Sequence, residues 1–160
     1  MVKDKKVDRE DEEDWNKIIG SWLMERLKRK GLLNKNWLNL EGILRHPAVG
    51  GFISHCGWNS VTEAIRHGVP ILAWPHNEDQ KINADTVERI GLENWVKSWD
   101  WGGEIVVDGT EITEKIKEVM ESEVLRAQAM HIRKEARRAV AVGGSSSNGL
   151  IELLETWKKL

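Results

Sequence analysis

Apolar positions along the chain follow two rhythms. Four short runs have the length and continuity of buried strands: Gly51-Phe52-Ile53-Ser54, Pro70-Ile71-Leu72-Ala73-Trp74, Trp95-Val96 and Ile105-Val106-Val107. Elsewhere the apolar residues recur every three or four positions. Trp15, Ile18, Ile19, Trp22, Leu23 and Leu27 predict a helix from about residue 12 to 30, broken at Gly20-Ser21 and ended by Gly31. A short strand from Leu32 to Trp37 and a short helix over 40–45 follow. The next helix, 58–67, is stopped by Gly68 and Pro70. Pro75 to Asp79 reads as a loop, and Gln80 to Ile90 as a helix with Ile82, Val87 and Ile90 inward, closed by Gly91. Thr110 opens a helix to about Glu121. Ser122 to Val142 forms another, Gly143–Ser147 interrupts it, and a last amphipathic helix carries Leu150, Leu153, Leu154 and Trp157 on one face. Short strands alternating with helices predict an α/β fold, a mainly parallel sheet flanked by helices.

Composition narrows the classes. One cysteine in 160 residues rules out an internal disulfide framework and suits a reducing, cytoplasmic compartment. A formal net charge of −2 gives no general attraction to nucleic acid or to an anionic membrane. The Arg-rich run 133–138 is balanced by nearby acids and reads as a solvated helix face, like the charged stretch over 3–14. No apolar run approaches the length of a membrane span, and Met1-Val2-Lys3-Asp4-Lys5-Lys6, with no apolar core behind it, is not expected to be a signal peptide.

The chemistry concentrates between Trp37 and Gln80. Gly51–Ser54 is a strand, Ser54–Gly57 a turn, and Trp58 opens a helix whose first-turn amides and dipole favour an anion. His55, Asn59 and Ser60 add donors there, so the stretch predicts a phosphate site. Ligands on parallel sheets bind beyond the carboxyl ends of the strands. His55, Asp79 and Gln80 all fall on that side. The chain has no Asp-x-Asp motif for a metal. Amides and an imidazole held in place can stabilise charge on a bound phosphate without reorganising. Metal-independent chemistry is therefore expected.

Trp37, His55-Cys56-Gly57-Trp58-Asn59-Ser60, Glu63, Gly68-Val69-Pro70, Trp74-Pro75 and Asp79-Gln80 resemble, across its whole length, the plant secondary product glycosyltransferase box. That box is the donor-sugar site of plant UDP-dependent family 1 glycosyltransferases. The resemblance implies that Trp37 stacks on uracil and that Glu63 accepts from the ribose hydroxyls. It implies that His55, Asn59 and Ser60 bind the diphosphate, and that Trp58, Asp79 and Gln80 line the sugar. A terminal Gln implies glucose, hence UDP-glucose as donor substrate, with no cofactor and no metal. One position departs: Leu40 stands where the box normally has Gln, removing a polar contact to the ribose. Asn34-Lys35-Asn36-Trp37, Val61-Thr62-Glu63-Ala64, His67–Pro75, Asp79–Ala84 and Trp99–Glu104 further resemble plant C-glycosyltransferases of the 2-hydroxyflavanone type. The reaction so implied is an inverting hexosyl transfer to a flavonoid or other phenolic acceptor.

The family's enzymes pair two Rossmann-like domains of the GT-B fold. This chain resembles only the C-terminal, donor-binding one, over residues 1–160, truncated on its N-terminal side. The acceptor domain, with the catalytic His and its Asp partner, has no counterpart here, so no catalytic residue is assigned. An exposed sheet edge, an open apolar face on the last helix and an inactive fragment are the expectations. A non-catalytic nucleotide-sugar-binding module and a pure interaction domain remain the alternatives. Among single residues, Cys56 is expected to be a small packed residue rather than a nucleophile, Trp74 a core residue and Asp79 a helix cap. Trp99 and Trp101 are either an acceptor platform or loop packing.

Overall fold

A computed structural model describes residues 17–34, 36–99 and 106–159, which fall into two compact units, one ending at Leu38 and the other running from Asn39. In the first unit the helix predicted from about residue 12 is described from Lys17, its earlier part lying outside the described residues. Gly20 breaks it at φ +78°, a left-handed conformation that glycine adopts without cost, and α1 follows over Ser21–Lys30. The strand expected over 32–37 does not form among the described residues. Asn34 and Asn36 bend the chain instead: the Asn36 amide donates to Asn34 Oδ1 at 3.2 Å, and Asn34 Nδ2 donates back to the Asn36 carbonyl. Such local side-chain bonds compete with a strand ladder, and Leu32 is left 84% exposed.

The second unit is the α/β body. Its elements are α2 (Leu40–Leu44), β1 (Phe52–Ser54), α3 (Trp58–His67), β2 (Ile71–Ala73), α4 (Glu78–Arg89), β3 (Glu93–Trp95), α5 (Gly109–Glu121), α6 (Glu123–Val140) and α7 (Ser145–Trp157). The three strands pair in parallel in the order β1-β2-β3, with Ser54 opposite Ala73 and Ala73 opposite Trp95. Val106 and Val107, from the fourth expected strand, are not in a strand, and Ile105 lies outside the described residues.

The middle strand is buried on both faces. Ile71 and Ala73 pack with Val61 and Ala64 of α3, Val87 of α4 and Ala129 of α6. Leu72 points the other way, to Trp99 and Val119, with Trp74 and Ile112 alongside. Trp99, one of the two candidate platform residues, is thus a packing residue at 3% exposure. Its ring centroid is 4.6 Å from that of Trp74, and its Nε1 donates to Glu111 Oε1 at 2.8 Å. Trp101 lies outside the described residues.

Helix ends refine the expected boundaries. α3 ends at Gly68 with φ +68°, whose left-handed cap lets its N–H reach back to Ala64 and Ile65. α4 starts two residues before Gln80, at Glu78, with Asn77 rather than Asp79 at the cap. Its inward face is Ala84 and Val87, whereas Ile82 is 68% exposed and Ile90 also reaches solvent. The α5 cap is Asp108, which accepts from the Thr110 amide at 2.7 Å, rather than Thr110 itself. Leu150, Leu153, Leu154 and Trp157 of α7 are exposed, as the open face predicted.

His67 closes α3 in a buried position, and its Nε2 makes no hydrogen bond among the described residues. Burial holds its pKa below the ordinary 6.5, Glu41 opposes that shift, and Arg66, Arg133 and Arg137 add to it. Below about pH 6.5 the unfolded chain therefore binds the proton more readily than the folded one. Stability contributed by neutral His67 is present above that pH and is lost as pH falls toward the folded pKa. His67→Gln is expected to remove this part of the slope, read as urea midpoints of both proteins between about pH 5 and about pH 8. Equal slopes would refute it.

Candidate functional site

Because β1 and β2 are parallel and in register to their last residues, the turns that follow them leave the same edge of the sheet. The Trp74 amide donates to the Ser54 carbonyl at 2.8 Å, extending the pairing to the mouth of the two turns. The β1–α3 turn carries His55, and α3 begins with Trp58, Asn59 and Ser60. The β2–α4 turn leads into Asp79 and Gln80, in the first turn of α4. The structure thus brings the residues of two sequence segments to one edge. Glu63 lies farther along α3, roughly five residues and 7.5 Å past its start, and is half-buried.

The start of α3 is open. Gly57 is its N-cap, no side chain caps it, and no acid stands in its first turn. The first intrahelical bond runs from the Val61 amide to the Gly57 carbonyl at 3.1 Å. The amides of Trp58, Asn59 and Ser60 therefore have no acceptor within the helix. A side chain takes this role at α2 (Asn39), α5 (Asp108) and α6 (Ser122), while α1 and α7 also start at a glycine with no side-chain cap. The imidazole of His55 is exposed and lies against Gly57, where a Cβ would come 2.5 Å from its Nε2. An anion at this end would meet free amides, the positive end of a dipole and a ring nitrogen.

Cys56 sits between these parts at φ +63°, the only non-glycine residue of positive φ among the described residues, and is fully buried. Its amide donates to Ser54 Oγ at 3.1 Å and its carbonyl accepts from Asn83 Nδ2 at 3.0 Å. Its burial fits the expected packing role. Gln80 has a task the sequence did not reveal. Its Oε1 accepts from the backbone amides of His76 and Asn77 at 2.8 and 3.2 Å, which fixes the entry to α4 and leaves its Nε2 to face other partners. Asn83 was also missed, although it lies four residues after Asp79 and so on the same helix face. Trp37 belongs to the first unit, where its indole is 99% exposed.

A parallel three-stranded sheet packed against helices, with the turns after β1 and β2 leaving one edge, is an α/β architecture of the kind that binds ligands beyond the carboxyl ends of its strands. The family model of UDP-glucoronosyl and UDP-glucosyl transferase matches residues 24–135, and the chain belongs to this family. It is 54% identical to UDP-glycosyltransferase 708G2 of Citrus unshiu over 99% of its own length and 34% of that protein's. Among solved structures it is similar to LpCGTa in complex with UDP, at a TM-score of 0.83 and 42% identity, over 87% of this chain and 33% of that one. It is also similar to Medicago truncatula UGT71G1 complexed with UDP-glucose, at 0.76 and 33%, over 84% and 30%. These are plant glycosyltransferases of the GT-B fold, matched in their C-terminal part. The chain spans about a third of the length of the curated relatives it matches. No helix among the described residues is long and apolar enough to cross a membrane.

Proposed function

We propose that residues 1–160 form the donor-binding domain of a plant glycosyltransferase that moves glucose from UDP-glucose to a phenolic acceptor, with inversion and without a metal. The open, uncapped start of α3 beside His55 is the observation that carries this reading. In it the diphosphate sits on the α3 amides, His55, Asn59 and Ser60. Trp37 stacks on the uracil, Glu63 accepts from the ribose, and Trp58, Asp79 and Gln80 contact the sugar. Negative charge grows on the diphosphate as the glycosidic bond breaks, and the fixed amides and imidazole stabilise it without reorganisation.

Transfer also needs a general base to take the acceptor's proton. We place that base in the two thirds of the relatives that this chain does not match. This polypeptide alone is therefore expected to bind the donor without turning it over. The acceptor is a flavonoid-like phenol that attacks the anomeric carbon of the sugar through a ring carbon or an oxygen, in the cytoplasm.

The test is calorimetric titration of the chain with UDP and UDP-glucose. Binding is expected, with His55→Ala and Trp37→Ala each weakening it about tenfold or more. An absence of binding, or full affinity in both variants, would overturn the site. Sugar transfer by the purified chain alone would overturn the assignment of the base.

A further inference from the structure

We propose that Asn83 is a positioning residue of the donor site, which acts by clamping the Cys56 peptide in its left-handed conformation; the proposal rests on the β1–α3 turn being the diphosphate seat. Cys56 takes a backbone conformation that side chains disfavour. Two side chains hold it from opposite ends of the residue. Ser54 Oγ accepts from its amide at 3.1 Å, and Asn83 Nδ2 donates to its carbonyl at 3.0 Å across 27 positions of sequence. The thiol is fully buried, so the turn cannot relax without moving it.

The carbonyl that Asn83 holds shares a planar trans peptide with the Gly57 amide. Fixing the one toward α4 therefore aims the other the opposite way, as a single rigid plate. That plate leads directly into the open amides of α3 and ends at Gly57, against which the His55 ring lies. Asn83 can serve as an anchor because the next residue, Ala84, and then Val87 are buried in the core, which fixes the helix that carries it. The helix that follows the second turn of the site thereby sets the geometry of the first turn.

The experiment titrates the chain with UDP and with uridine, which lacks the diphosphate, in Asn83→Ala and in the isosteric Asn83→Asp, which cannot donate. Both variants are expected to bind UDP roughly five- to tenfold more weakly and uridine unchanged. In a Cys56→Gly background, where positive φ carries no penalty, Asn83→Ala is expected to cost less than about twofold. Amide exchange at Cys56 and Gly57, read by NMR without ligand, is expected to speed up in both Asn83 variants. Unchanged UDP affinity and unchanged exchange would overturn the clamp while leaving the donor site standing. If the unsubstituted chain takes up no UDP, the site reading fails, and the exchange rates decide the clamp without it.

Discussion

Gly57→Ala is expected to weaken UDP binding by about tenfold or more while leaving the fold as stable as before or slightly more so. The two effects have different origins. Gly57 has φ −58° and ψ 140°, which alanine adopts without strain. A Gly→Ala change at such a position narrows the unfolded ensemble and stabilises by about 0.4–1 kcal/mol. The new methyl, however, enters the space held by the His55 imidazole, 2.5 Å from Nε2. That ring is exposed and swings aside at little cost to the fold, taking its donor away from the first-turn amides. Calorimetry and urea midpoints on the same protein should therefore move independently or in opposite senses. In a His55→Ala background the substitution should cost much less affinity, because the ring it displaces is already gone. Unchanged affinity for UDP would show that the imidazole does not contribute from this position.

Ile71→Ala is expected to have the largest effect on stability. Ile71 lies in the middle strand, fully buried, against side chains from several helices. Truncation loses the transfer free energy of the removed carbons and leaves a cavity that the packed strand cannot close. The expected cost is about 3 kcal/mol, within the range for buried large-to-small changes. Urea unfolding should show a lower midpoint at an unchanged slope. A cost below about 1 kcal/mol would mean that the sheet relaxes around the gap and that this core is looser than its burial indicates.

Much of the second unit could be read from the chain, and the reasons are local. β1 and β2 are short apolar runs bounded by glycine, proline or polar turns, and α3 ends where Gly68 takes a left-handed cap, whereas β3 is Glu93-Asn94-Trp95 and shares only Trp95 with the expected Trp95-Val96 run. Convergence of His55, Asp79 and Gln80 followed from parallel pairing, which sends the turns after β1 and β2 to one edge. What could not be read depends on partners distant in sequence or on competition between equivalent signals. Trp99 is buried because Trp74 and Glu111 meet it, from 25 and 12 positions away. The inward face of α4 was misplaced because alanine, at position 84, is a weaker hydropathy signal than the isoleucines at 82 and 90. Asp108 and Thr110 are both good caps, and only the backbone decides between them. The expected strand over 32–37 lost to an asparagine turn of its own making. Gln80 orders the entry to its own helix through its carbonyl oxygen, a role that depends on where the backbone of His76 and Asn77 lies and that the sequence does not display.

The alternation along β2 has a consequence for how the chain finds its native state. Ile71 and Ala73 feed one helical layer and Leu72 the other, so sliding this strand by a single residue against its neighbours would send each side chain into the wrong layer. A misthreaded sheet would thus be penalised on both sides at once. Three residues suffice to specify the alignment on which the position of every turn at the sheet's edge depends.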